Sequence, residues 1–173
     1  MKTIGGIDRN KLLDIAEEVV KRFLVLPENP KPEKKGCYIC IASDVSRLEF
    51  PIHLITELGS CDPEKVSSCF YFCQEEVVRM LKGSFCSSWQ SRNISFHQYG
   101  GAVSAMYGPL ASEIGKNMGI GISGFTEEGD EAVALVIGIW ARWLVLYDAE
   151  CIVAVSNNKL FHPLMKACGD LFQ

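Results

Sequence analysis

The residues best suited to chemistry are His97 and Tyr99 in the run FHQYGG at residues 96–101. Their surroundings predict a strand over 94–99, and residues two apart on a strand share a face. Imidazole and phenolate are both axial ligands of heme iron. The pair Gly100-Gly101 that follows admits close approach of another group. The competing reading is two polar side chains on a solvated strand face. The other histidines offer less. His53 alternates with Ile52 and Leu54, as a solvent-facing strand position does, and His162 precedes Pro163 at a helix start, a structural setting. No two histidines form a zinc-type pair on one helix.

Catalytic patterns are sparse. Ser123 lies in G-x-S-G, one residue short of a nucleophile elbow, and no His-Asp pair stands at a spacing that would activate it. Glu127, Glu128, Asp130 and Glu131 could supply a carboxylate pair, but acids in a first helical turn serve mostly as capping and dipole partners. P-loop, EF-hand and H-E-x-x-H patterns do not occur. The chain therefore reads as a binding or interaction protein rather than an enzyme.

Gly119, Gly121 and Gly124 spell G-x-G-x-x-G. A dinucleotide site needs a strand before the first glycine and an acid at the end of the next strand, about 20 residues on. Here the glycines lie inside the strand, the preceding PLASEIGKNM is not a strand, and Asp148 falls on a continuing helix. The preferred reading is a strand thinned by glycine so that a helix or ligand can approach.

Eight cysteines are present. Cys37 and Cys40 form C-x-x-C within a strand, where residues three apart point to opposite faces. That suits neither a zinc knuckle nor a redox pair at a helix start. Cys69 and Cys73 lie four apart on the apolar face of a helix. With no secretory leader in MKTIGGIDRNK, buried free thiols are expected.

The elements that must position these residues follow from periodicity and punctuation. A first helix spans 8–26, capped by Asp8, and a proline-rich connection follows it. Strands are predicted at 37–42 and 50–58, with residues 44–48 turning the chain and Pro51 opening the second strand. Asp62-Pro63 starts a second helix that Gly83 ends. Strands over 94–99, 102–107 and 118–125 come next, with 110–117 a loop or short helical turn. Thr126 caps a third helix. From about residue 149 the chain continues through CIVAVS, either a sixth strand or more helix, into a helical run at 160–172. The order predicts a single α+β domain over 1–173 with a C-terminal extension from about 150. Its core would be a five-stranded, mainly antiparallel sheet packed with helices.

Gly100-Gly101, then Gly119-Ile-Gly-Ile-Ser-Gly124, then Glu127-Glu128-Gly129-Asp130-Glu131-Ala132 resemble the GlcG family, which includes the heme-binding protein HbpS and the C-terminal domain of PduO. The resemblance covers residues 7–145, with motif-level detail over 100–134. Val103-Ser104-Ala105 departs from it, standing where members carry a proline-led strand. The resemblance implies a profilin-like layer architecture and a non-catalytic domain that binds a tetrapyrrole, heme or a corrinoid. His97, Tyr99, Gly100, Gly101, Ser123 and Gly124 would line the ligand site. It also implies a homo-oligomer. An interaction or assembly module without a small-molecule ligand is the alternative.

At 173 residues and 48% hydrophobic, the chain fits one domain with an ordinary core. A net charge of −4 makes neither nucleic acid nor an anionic membrane an obvious partner. The most apolar window, 132–147, contains Arg142 and is too short to span a bilayer, so a cytoplasmic protein is expected. The third helix is apolar on a second face, through Leu135, Ile139, Trp143 and Leu146. Either the C-terminal extension or a partner subunit must cover that face.

Overall fold

The computed structural model describes residues 2–43, 52–105, 108–114 and 117–173. Strands β1 (Thr3–Ile4) and β2 (Ile7–Asp8) form a small hairpin ahead of helix α1 (Arg9–Leu24). Strands β3 (Gly36–Ser43) and β4 (Ile52–Gly59) follow, then α2 (Val66–Lys82), β5 (Ala102–Ala105), α3 (Pro109–Ile114) and β6 (Met118–Ser123). Helices α4 (Glu127–Trp140), α5 (Leu146–Ser156) and α6 (Phe161–Ala167) complete the chain. The main sheet has the order β4-β3-β6-β5, and every pairing in it is antiparallel.

The α+β class agrees with the sequence reading, but among the described residues the main sheet has four strands rather than the expected five, with β1 and β2 in a separate pair. The missing strand is 94–99. Ile94–Phe96 forms a 3₁₀ turn, and His97 closes it in the left-handed region at φ 53°. Local bonds take the backbone groups that a ladder would need: Phe96 N–H and Gln98 N–H donate to Asn93 O, and His97 N–H donates to Ile94 O, each at 3.0 Å. Arg79 takes others, donating to Ser91 O at 3.0 Å and Tyr99 O at 2.6 Å. The expected turn at 44–48, the strand opening at Pro51 and the last two residues of the 102–107 strand lie outside the described residues.

Capping follows the residues that signal it. Asp8 Oδ1 accepts from Asn10 N at 3.1 Å and Lys11 N at 3.0 Å, and Thr126 Oγ1 accepts from Gly129 N at 3.2 Å. The Asp62-Pro63 start is displaced. Asp62 closes a separate turn, its carbonyl accepting from Lys65 N at 2.8 Å, and α2 begins at Val66. Gly83 caps its C-terminus as expected.

Side-chain alternation along β3 splits the interior into two layers. Cys37, Ile39 and Ile41 join the larger core under α1 and α4, whereas Cys40 and Ala42 join the smaller core under α2. On β6, Ile120 and Ile122 belong to the first layer. Gly119 and Gly121 lie under α2, where a Cβ on Gly121 would stand 2.2 Å from Cys73 O. The glycine spacing thus serves helix approach, and the antiparallel sheet lacks the parallel βαβ unit of a nucleotide fold. C-x-x-C is split between the two cores, as its strand spacing requires.

The third helix is shorter than its apolar run. α4 stops at Trp140, Arg142 turns left-handed at φ 59°, and Gly138 O accepts from Trp143 N and Leu144 N, each at 3.1 Å. CIVAVS lies on α5 and is helix, not a sixth strand. Leu135 and Trp143 are buried, and Leu146 moves to α5 and is exposed. Helices α5 and α6 pack on α4, which covers its second face within the chain. The extension is pinned at two places. Arg22 donates to Ala167 O at 2.9 Å and pairs with Asp170, and Trp140 Nε1 donates to Leu171 O at 3.1 Å. Among the described residues no helix is long and apolar enough to cross a membrane.

Candidate functional site

His97 and Tyr99 do not share a strand face, yet the turn brings their side chains together, with His97 Nδ1 3.1 Å from Tyr99 Oη. Both lie at the surface, His97 exposed and Tyr99 half-buried. The Tyr99 ring meets Phe72 of α2 edge-on at 5.2 Å between centroids, and Phe72 meets Tyr71 at 5.3 Å. Phe96 next to His97 is 74% exposed, and Tyr71 is 59% exposed. The outer side of α2 and the 94–99 turn therefore form one aromatic surface bearing an imidazole and a phenol.

Arg79 anchors this turn to α2. It pairs with Glu75 at 2.7 Å and donates to Ser88 O, Ser91 O and Tyr99 O. Neither Arg79 nor Phe72 stands out in the sequence, because their roles depend on a loop that returns to the helix from 9 to 27 residues away.

Gly100 and Gly101 sit beneath this surface, inside the protein. Gly100 N donates to Glu127 Oε1 at 2.8 Å, and Glu127 also pairs with Arg92 at 2.9 Å. Ser88 Oγ accepts from Gly101 N at 3.0 Å and Ala102 N at 2.9 Å. A Cβ on Gly101 would stand 2.7 Å from Glu76 Oε2, 2.7 Å from Ile122 O and 3.0 Å from Asp130 Cβ. One on Gly100 would meet the Trp89 ring at 2.9 Å. Protein atoms thus fill the space beside both glycines. Ser123 and Gly124 occupy the far end of β6 and line a separate recess of about 170 Å³ with Cys61, Cys69 and Lys65. Asp130 links the two regions, packing beside Gly101 and accepting from Phe125 N at 3.0 Å. The structure pairs His97 with Tyr99, and Gly101 with the turn after Ser123, as two neighbouring groups.

No family model matches this chain, and neither a curated protein nor a solved structure does. What the site can do is therefore read from its own geometry.

Three of the four acids of α4, Glu127, Asp130 and Glu131, hold neighbouring structure through their side chains. Glu127 holds Gly100 and Arg92, Asp130 holds the turn before the helix, and Glu131 accepts from Ser156 Oγ and, at 3.0 Å, from Asn158 Nδ2. Sequence reasoning passed over Glu76, a carboxyl only 2% exposed. Its signal was position: residue 76 lies on the same inner stripe as Cys69, Cys73 and Met80, where a charge is out of place. Burial pushes the Glu76 carboxyl well above the usual carboxylate range, the charges of Asp130 and Glu75 push it further, and Arg79 opposes them. Burial likewise raises Asp130, against the N–H groups of Phe125 and Gly124.

These directions make a prediction. A carboxyl held above its unfolded value binds a proton on folding. Its stabilising contribution is complete below about 4.5, the unfolded value for Glu76, and is lost as the pH rises through the folded value. Glu76 Oε2 also has no hydrogen-bond partner. Glu76→Gln therefore gains about 1–3 kcal/mol over the parent at about pH 8 and little at about pH 4. Urea unfolding at the two pH values measures this, and an identical pH slope in both proteins refutes the assignment.

Proposed function

We propose that this chain is a non-catalytic binding domain for a tetrapyrrole, heme or a corrinoid, seated on the aromatic surface around His97 and Tyr99. The observation that carries the reading is the contact between His97 Nδ1 and Tyr99 Oη on an exposed surface of aromatic rings. A metal-ligating histidine commonly donates its other ring N–H to a polar partner, which sets the tautomer. With Nδ1 turned to the phenol, Nε2 would be the nitrogen that holds the metal of a bound tetrapyrrole. The left-handed backbone of His97 is uncommon outside glycine and holds the imidazole at the surface. A flat tetrapyrrole presents an apolar disc, which Phe72, Tyr71 and Phe96 can cover. The motif resemblance to the GlcG family supports the same ligand class. On this reading Gly100 and Gly101 shape the support beneath the ligand, while Ser123 and Gly124 line the separate recess beside Cys61 and Cys69.

The same exposed rings favour a second reading, a protein-docking surface without a small-molecule ligand. A family likeness to oligomeric proteins fits either reading, although the second face of α4 is already covered within the chain. Titration with hemin, and in parallel with hydroxocobalamin, separates them. The expected result is saturable binding near one equivalent with a shifted Soret band for hemin, or a shifted corrin spectrum for the cobalamin. His97→Ala should abolish the axial signature, and Tyr99→Phe should change it while leaving binding measurable. Featureless, non-saturating absorbance with both probes overturns the tetrapyrrole reading, and sedimentation of the ligand-free protein then tests the docking alternative.

A further inference from the structure

A second site lies away from His97, in a cavity of about 400 Å³ between the end of α2, the 84–90 link and α5. That volume falls within the range of about 300–1,000 Å³ typical of small-molecule pockets. Leu81, Phe85, Leu144, Ile152 and Val155 form its apolar wall. The link is held in shape by Gln90 Oε1, which accepts from Cys86 N at 2.9 Å and Ser87 N at 3.3 Å. On the opposite side Ser104 Oγ donates to Asn117 Oδ1 at 2.7 Å.

Among the described lining residues Asp148 is the one formally charged group. Its Oδ2 is buried and has no hydrogen-bond partner. A place in the first turn of α5 accounts for an acid there through the helix dipole, but not for an orphaned oxygen. A buried acceptor without a donor is costly, and a bound donor recovers that cost. Cys86 and Cys151 also line this cavity and are the two exposed thiols, the other six cysteines being buried.

The geometry points to a binding site for a small organic cation, an ammonium group on a compact apolar body, with Asp148 receiving the ammonium and the wall from Leu81 to Val155 receiving the body. This site is separate from the His97 surface and does not rest on the tetrapyrrole reading.

The test titrates the full chain with 2-phenylethylamine and with 3-phenylpropanoate near neutral pH by calorimetry. It also follows iodoacetamide labelling of Cys86 and Cys151 by mass spectrometry. The amine is expected to bind saturably and to slow labelling of both cysteines, while the carboxylate does neither. Asp148→Asn is expected to weaken the amine about tenfold or more with an unchanged thermal midpoint, and His97→Ala to leave amine binding unaltered. Absence of saturable amine binding, equal binding of the two probes, or full affinity in a folded Asp148→Asn protein overturns the site. The probe comparison and the labelling use the parent chain, so they decide the matter even where the variant does not fold. Loss of amine binding in His97→Ala would overturn the separation of the two sites.

Discussion

Gly121→Ala costs the protein about 3 kcal/mol or more, the upper end of what overpacking does to a core. The added methyl would stand 2.2 Å from Cys73 O and 3.3 Å from Val77 Cβ. Cys73 O is backbone in the middle of α2, so no side-chain rotation relieves the clash, and the helix must leave the sheet. Fewer unfolded conformations for alanine return only about 0.4–1 kcal/mol, so the clash wins. Two further variants give the effect its cause. Gly119→Ala meets side-chain carbons, Val77 Cγ2 at 2.6 Å and Leu81 Cδ1 at 3.0 Å, which can shift in part. It is expected to cost less than Gly121→Ala. Gly169→Ala meets nothing within 4 Å and should lie within about 0.5 kcal/mol of the parent. Urea midpoints for the three variants check the order, and a neutral Gly121→Ala would refute the close seating of α2 on β6.

Trp143→Ala is the second large effect, about 3–5 kcal/mol. Trp143 is fully buried, and its Nε1 donates to Gly5 O at 2.8 Å. Gly5 lies against the indole, a Cβ there standing 2.7 Å from Cε2. Its carbonyl O of residue 143 also accepts from Gly108 N at 2.9 Å. Removing the ring empties a large part of the core between the α4–α5 turn and the β1–β2 hairpin, and it leaves Gly5 O without its donor. Trp143→Phe keeps much of the volume and loses the hydrogen bond, so a smaller loss is expected. Denaturant midpoints give the two values. Amide exchange at Ile4 and Ile7, which pair across the hairpin, should accelerate in Trp143→Ala before the sheet opens. An alanine variant with parent stability would show that the hairpin is not held by this residue.

Parts of the candidate site were legible for local reasons. Asp8 and Thr126 cap the helices they precede, because capping needs only a side-chain oxygen two or three residues from a free N–H. His97 and Tyr99 were picked out as a pair, and they do meet, but through a turn rather than a strand. Arg79 and Phe72 carry no local signal because each acts on a segment distant in sequence, whereas Glu76 is marked by its place on the inner stripe of α2. The cavity around Asp148 was invisible for the same reason, and the residue itself had been placed on an uninterrupted third helix.

The local pattern of the chain determined most of the layer architecture. Period-two alternation set Cys37 and Cys40 on opposite faces of β3, and glycines at 119 and 121 marked where a helix or a ligand could approach β6, which in the structure is α2. Both depend on backbone geometry and on the presence or absence of a Cβ, which sequence states directly. Tertiary structure alone decided where an apolar or extended-looking run stops. Residues 94–99 carry strand-like residues, yet Arg79 binds the carbonyls of residues 91 and 99 and the segment closes on itself. Residues 132–146 read as one helix, but α4 ends at Trp140, and Trp143 is instead buried against the N-terminal hairpin. The packing of α5 and α6 on α4 was settled in the same way, with Arg22 of α1 holding residues 167 and 170 and Trp140 of α4 holding residue 171. Such outcomes turn on which distant group satisfies a backbone polar atom or fills an apolar space, and periodicity does not carry that information.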